Sequence, residues 1–222
     1  MICILQVRTS SQRLKKKALL KLNKKLVIEN VIDRLLLSNK ISKVILATSN
    51  HSSDDIFKKI VKNKKVSVFR GSLNNVYLRY FNLIKKNKLK FFLRISGDSP
   101  LIDYRIIERA YNLFINKKCE IVTNTLNRSF PKGQSVEIIK SDIFLKYSKK
   151  ILKNPIYREH VTKYFYENSK EFNIWNFKNK EDFSKINLSI DTLRDYKKIK
   201  KIYASLNKNF KWQTALKRYI SL

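Results

Sequence analysis

The stretch FFLRISGDSPLID, residues 91–103, reads as an apolar strand running out onto Gly97, Asp98 and Pro100. A carboxylate at the C-terminal end of a buried strand lies where open α/β sheets bind their ligands, and the glycine beside it lets backbone approach a substrate closely. One oxygen ligand there suits a hard cation such as Mg2+. Asp98 reads equally as an acidic N-cap to the helix that begins near Tyr104, because Asp and Ser are ordinary cap residues. On this residue alone the two readings stand level.

Working outward, short apolar runs alternate with amphipathic stretches, the pattern of strand and helix units around a largely parallel sheet. Strands are predicted over residues 2–7, 43–48, 66–69, 90–95, 119–123, 135–139 and 186–190. Helical periodicity covers 26–37, 54–61, 76–84 and 104–115, with Asp54 after Ser52 and Ser53 reading as a helix start. An aromatic-rich helix is expected over 157–166, a strand-like run over 172–177, and a last helix after Asp191 and Thr192. The aromatic residues between about 125 and 180 read either as a dimerisation insertion or as closure of the core by Tyr164, Phe165 and Trp175.

At 222 residues and 43% hydrophobic, the chain is expected to form one α/β domain over 1–222. The apolar run 2–7 is too short, and too soon followed by Arg8, Arg13 and Lys15, for a signal peptide or span, so a cytoplasmic protein is expected. Cys3 and Cys119 lie in apolar runs and read as buried free thiols; His51 and His160 have no partner at zinc-ligand spacing. The net charge of +32 invites a nucleic-acid reading. The lysines are scattered through the whole chain, however, and an AT-rich genome gives this Lys, Asn and Ile content without selection for binding. No RNA-recognition motif accompanies them, so nucleic acid is not the expected partner.

Asp98 and Asp191 both follow predicted strands, so a parallel sheet would bring the two carboxylates to one edge, a pair able to hold a divalent cation. The first loop, RTSSQRLKKK at residues 8–17, supplies Arg8, Ser10, Ser11, Arg13 and Lys17 around a turn, which suits a triphosphate. It lacks the glycines and the Gly-Lys-Ser/Thr ending of a Walker A loop; by itself it reads equally as a basic surface loop.

With ILQVRTSSQRLKKK, VILATSN, VFRGSLNNVYLRY, LRISGDSPLID, FPKGQSVEI, YREHVTKYFYEN and LSIDTLRDY in order, the chain resembles the sugar cytidylyltransferases, particularly the spore coat polysaccharide biosynthesis branch. The resemblance implies a three-layer Rossmann-like sandwich of the nucleotide-diphospho-sugar transferase type, with a mixed, mostly parallel sheet and a homodimeric state. It implies transfer of CMP from CTP to a sugar, with Mg2+ and release of pyrophosphate. It assigns Arg8, Ser11, Arg13 and Lys17 to the nucleotide, makes Arg8, Arg13, Lys17 and Asp98 catalytic, and gives Asp98 and Asp191 the metal. Ala47, Thr48, Ser49, Arg70, Gly71 and Ser72 would line the nucleotide side; Arg94, Gly133, Gln134 and Glu137 would face the sugar. His160 reads as a satisfied structural histidine.

The chain departs from the family pattern at Ser10, Lys15 and Lys16, which stand where glycine, proline and glycine are usual. Asn74 and Asn75 replace acidic residues and Ser135 replaces an aspartate. Two alternatives stay open: a glycosyltransferase of the same fold using a preformed nucleotide sugar, and a catalytically silent or RNA-binding module.

Overall fold

Side-chain alternation along the first strand sets the layers: Cys3 and Leu5 pack into one core cluster and Ile4 into another. The same split divides Val44 and Leu46 from Ile45, Leu93 and Ile95 from Phe92, and Ile138 from Ile139. Strands buried on both faces in this way read as continuous apolar runs.

In the computed structural model, which describes residues 1–222, the strands are β1 (Ile2–Gln6), β2 (Lys21–Leu22), β3 (Lys25–Leu26), β4 (Lys43–Ser49), β5 (Val66–Gly71), β6 (Phe91–Ser96), β7 (Ile121–Thr123), β8 (Glu137–Lys140) and β9 (Ile174–Asn176). The helices are α1 (Val27–Leu36), α2 (Ile56–Ile60), α3 (Val76–Lys86), α4 (Tyr104–Lys117), α5 (Ser141–Lys146), α6 (Ser148–Lys153), α7 (Pro155–Glu159), α8 (Lys163–Glu167), α9 (Leu193–Ala204) and α10 (Trp212–Ile220). Seven strands form one sheet in the order β5-β4-β1-β6-β8-β7-β9, and β2 and β3 form a separate hairpin. Strands β5, β4, β1 and β6 run parallel, β8 is antiparallel to both β6 and β7, and β9 is parallel to β7. Helices α1, α4 and α10 cover one face, and α3, α5, α6 and α8 the other. This is the expected mixed, mostly parallel three-layer sandwich. Because Gln6 pairs with both Ala47 and Ser96, β1 and β6 finish level and β4 runs on to Ser49 beside them, so the C-terminal ends of the three strands form one crest.

Three expectations are corrected. Residues 186–190 are not a sheet strand: the Leu188 N–H bonds to Lys132 O, the Ile190 N–H bonds to Asp98 O, and Leu188 and Ile190 pack in a third cluster beneath α9. Residues 157–166 are not one helix, because α7 ends at Glu159 and the chain turns at His160 before α8. Gly97 stays at the open end of β6, lining the crevice there, and a Cβ on it would also meet Gln6 O and Val7 Cβ, each at 3.0 Å, so the glycine lets β6 leave the sheet against β1 as well. The helix cap is Asp103, whose carboxylate accepts the Arg105 N–H, not Asp98. Tyr164 and Phe165 are buried as core closure requires, whereas Trp175 is 40% exposed with the Lys117 ammonium 4.3 Å from its ring centroid. Cys3 and Cys119 are buried free thiols. No helix is long and apolar enough to cross a membrane.

Candidate active site

The first loop leaves β1 at the crest and is pinned by a buried carboxylate. Asp54, 1% exposed, accepts the Thr9 N–H and hydroxyl through Oδ1, and the Thr48 hydroxyl and the Ser49 N–H and hydroxyl through Oδ2. Burial alone would raise its pKa, but these donors hold it below the usual carboxylate value. The loop closes with the Lys16 N–H on Thr9 O, and Lys16 takes a left-handed conformation at φ 55°. That turn aims Lys17 inward.

Lys17 Nζ lies 2.5 Å from Asp98 Oδ2 and 2.9 Å from Asp191 Oδ1. The carboxylates meet because the Ile190 N–H bonds to Asp98 O at 2.9 Å, bringing the segment before α9 onto the turn after β6. Burial draws the lysine pKa down, but the two aspartates outweigh it and leave it raised, so the ammonium stays charged. Arg13 pairs with Asp191 at 3.0 Å, and Arg8 with Glu159 of α7 at 2.7 Å. Together with Ser11, Arg79, Arg94 and His160 these residues line a cleft of about 790 Å³, in which five arginines and lysines face three carboxylates. Such an excess of positive charge in a crevice at the strand ends suits a polyphosphate.

A second cavity of about 500 Å³ adjoins the cleft, and Arg94 and His160 line both. Its floor is ionic: Arg94 Nη1 donates to Glu137 Oε2, and the Tyr166 hydroxyl donates to Glu137 Oε1. Burial would raise the Glu137 pKa, yet Arg94, Tyr166 and Thr162 hold it below its usual value.

The structure thus gathers Arg8, Ser11, Arg13, Lys17, Asp98 and Asp191 in the cleft, and Glu137 in the adjoining cavity, with Arg94 between. It does not bring the other expected residues there. Ala47, Thr48 and Ser49 are buried, the last two spent on Asp54. Arg70 is committed to Asp55, Ser49 O and His51 O, and Gly71 and Ser72 pack against Arg79. Gln134 is fully buried between the Asp103 N–H and Leu101 O, and a Cβ at Gly133 would strike Leu188 backbone at 2.7 Å; neither faces a sugar. His160 is exposed and its ring makes no hydrogen bond within the chain, so the structural-histidine expectation is overturned. Sequence reading missed Asp54 as an anchor, and Arg79, a fully buried cation whose guanidinium bonds to Ser72 O and Ala47 O. The signal for Arg79 was present: a charge on the apolar stripe Val76, Tyr80, Leu83 of a helix marks a buried, satisfied cation.

Fold and cleft together define a nucleotidyltransferase. Residues 2–219 match the cytidylyltransferase family, to which the chain belongs. A cytidylyltransferase of Leptospira borgpetersenii superposes with a TM-score of 0.92 at 32% identity, over 99% of this chain and 94% of the other. An uncharacterized protein of Methanocaldococcus jannaschii is 33% identical over 94% of this chain and 84% of its own length. The spore coat polysaccharide biosynthesis protein SpsF of Bacillus subtilis is 27% identical over 90% of this chain and 85% of its own. CMP:2-keto-3-deoxy-manno-octonic acid synthetase, solved with CTP, shares the fold, with a TM-score of 0.69 at 17% identity, over 91% of this chain and 98% of the other.

Proposed function

We propose that the chain is a CTP-dependent sugar cytidylyltransferase that forms a CMP- or CDP-linked sugar and pyrophosphate for surface polysaccharide or glycoconjugate synthesis. The observation that carries this reading is Lys17 held between Asp98 and Asp191 in a cationic cleft that opens onto a second cavity. The likeness to SpsF supports the pathway class.

An acceptor oxygen attacks the α-phosphorus, the bond from that phosphorus to the β-bridging oxygen breaks, and pyrophosphate leaves with the electron pair. Positioning and charge neutralisation supply most of the acceleration in such transfers. Two carboxylate oxygens within 2.5 and 2.9 Å of one ammonium fit Mg2+, which takes one or two carboxylates alongside phosphate oxygens and water. Bound to Asp98 and Asp191, it would neutralise charge on the triphosphate. Arg8, Arg13 and Lys17 exchange their carboxylate partners for phosphate oxygens and stabilise the departing pyrophosphate. Where the acceptor is a hydroxyl, His160 at the seam of the two cavities receives its proton. We assign a homodimer contact to the segment 125–180, which exposes Ile156 and Trp175; sedimentation of a Trp175→Asp variant as a monomer would bear this out.

Melting temperature with each of CTP, ATP, GTP and UTP, with and without Mg2+, tests the reading. Wild type with Mg2+ and CTP at about a hundred times Kd gains roughly 3 kcal/mol, about 6–12 °C, and Asp98→Asn loses the Mg2+-dependent part. Equal small shifts with all four nucleotides, indifferent to Mg2+ and to the substitution, would overturn it.

A further inference from the structure

Arg128 lies in the loop after β7 and lines the second cavity. Its guanidinium makes one hydrogen bond, from Nη2 to the Ser135 hydroxyl at 3.1 Å, and its buried Nη1 has no partner. Both carboxylates of the cavity are engaged elsewhere. Glu137 accepts from Arg94 and Tyr166, and Glu167 pairs with Lys163 at 3.4 Å and accepts the Tyr157 hydroxyl at 2.7 Å. Three arginines and lysines face those two carboxylates, so one positive charge is unmatched. Burial lowers the Arg128 pKa, opposed by the charge of Glu137 at longer range. A partly desolvated cation with an empty buried donor is costly, and native proteins partner nearly all such donors.

A planar guanidinium fork matches carboxylate and phosphate oxygens in two parallel hydrogen bonds. We propose that Arg128 is a specificity residue of the acceptor cavity, receiving an oxyanion of the acceptor sugar, either a carboxylate or a phosphate. This rests on the nucleotidyltransferase reading above. Ser135 beside it is neutral and leaves the charge available, whereas Arg94 is already neutralised by Glu137. An acceptor anchored at Arg128 extends toward Arg94 and His160, the two residues shared with the nucleotide cleft.

The test is pyrophosphate release from CTP and Mg2+ with 2-keto-3-deoxy sugar acids of several chain lengths, their methyl esters, sugar 1-phosphates and the free neutral sugars, in wild type, Arg128→Gln and Arg128→Lys. Hydrogen bonds to charged groups are strong enough that Arg128→Gln is expected to raise KM for the anionic acceptor about 10- to 100-fold. KM for CTP and the melting temperature stay near wild type, and Arg128→Lys recovers part of the loss. Whether acids or 1-phosphates are used identifies the oxyanion. Turnover of esters or neutral sugars equal to that of the anions, or an unchanged acceptor KM in Arg128→Gln, overturns the inference while leaving the nucleotidyltransferase reading intact. CTP binding without turnover of any anionic acceptor also overturns it. Failure of CTP to bind at all removes both.

Discussion

Asp54 Oδ1 accepts both the backbone N–H of Thr9 at 2.8 Å and its hydroxyl at 2.6 Å, so one buried carboxylate fixes the start of the loop that presents Arg8, Arg13 and Lys17. Its other oxygen holds Thr48 and Ser49 at the end of β4. The first loop therefore takes its position from a residue that never meets the cleft.

Asp54→Ala leaves several buried donors unsatisfied and is expected to cost about 3 kcal/mol, or roughly 6–12 °C in Tm. The folded pKa of Asp54 is lowered, so its contribution is present above the unfolded carboxylate value and is lost as pH falls through the folded one. Urea titrations between pH 7 and pH 3 should show a shallower acid decline in Asp54→Asn than in wild type; parallel curves would remove Asp54 from the acid dependence.

Lys16 occupies the left-handed region at φ 55°, where a side chain with Cβ costs about 1–2 kcal/mol and glycine nearly nothing. Glycine also loosens the unfolded chain by about 0.5–1 kcal/mol. Lys16→Gly is thus expected to gain about 0.5–1 kcal/mol, seen as a higher urea midpoint at constant m. Lys15→Gly, a control at a neighbouring position without positive φ, should lose stability instead.

Glu137 and Arg94 form an ion pair with the carboxylate 3% exposed. Removing only Glu137 strands the arginine's charge, so Glu137→Leu is expected to destabilise by about 3–5 kcal/mol. The double variant Glu137→Leu, Arg94→Met should recover most of that loss. A double-mutant cycle with additive effects would show the pair uncoupled.

Much of this was legible before any coordinates, for a physical reason. Strands such as 43–48 and 90–95 are buried on both faces, so their composition alone announces them. The run 186–190 carries the same apolar pattern but bonds to Lys132 and Asp98 instead of a sheet neighbour, and periodicity does not name the partner. Its failure as a strand nevertheless left Asp98 and Asp191 together, because that same backbone bond, not the sheet, unites them. Gln134 was expected as a sugar contact only through the family resemblance of the segment FPKGQSVEI. Its burial depends on Leu101 and Asp103, which only the folded chain brings to it. Arg128 gave no signal at all among so many cations; what distinguishes it is that no carboxylate pairs with it and its Nη1 has no partner, a property of the tertiary structure.

His160 offers the sharpest separation between the two chemistries open to the acceptor. The residue follows Glu159, which Arg8 grips, and its ring is exposed where the cleft and the second cavity meet. A neutral imidazole can take the proton of an attacking hydroxyl, an effect worth about 10²- to 10⁴-fold. His160→Gln should therefore lower kcat by about 100-fold for a hydroxyl acceptor and change KM for CTP little. A phosphate acceptor needs no such proton transfer, and with it the same variant should keep kcat within about threefold of wild type, less than the smallest effect expected of a general base. Steady-state kinetics of wild type and His160→Gln with both kinds of acceptor make the comparison, and an unchanged kcat with a hydroxyl acceptor would remove the imidazole from the chemistry.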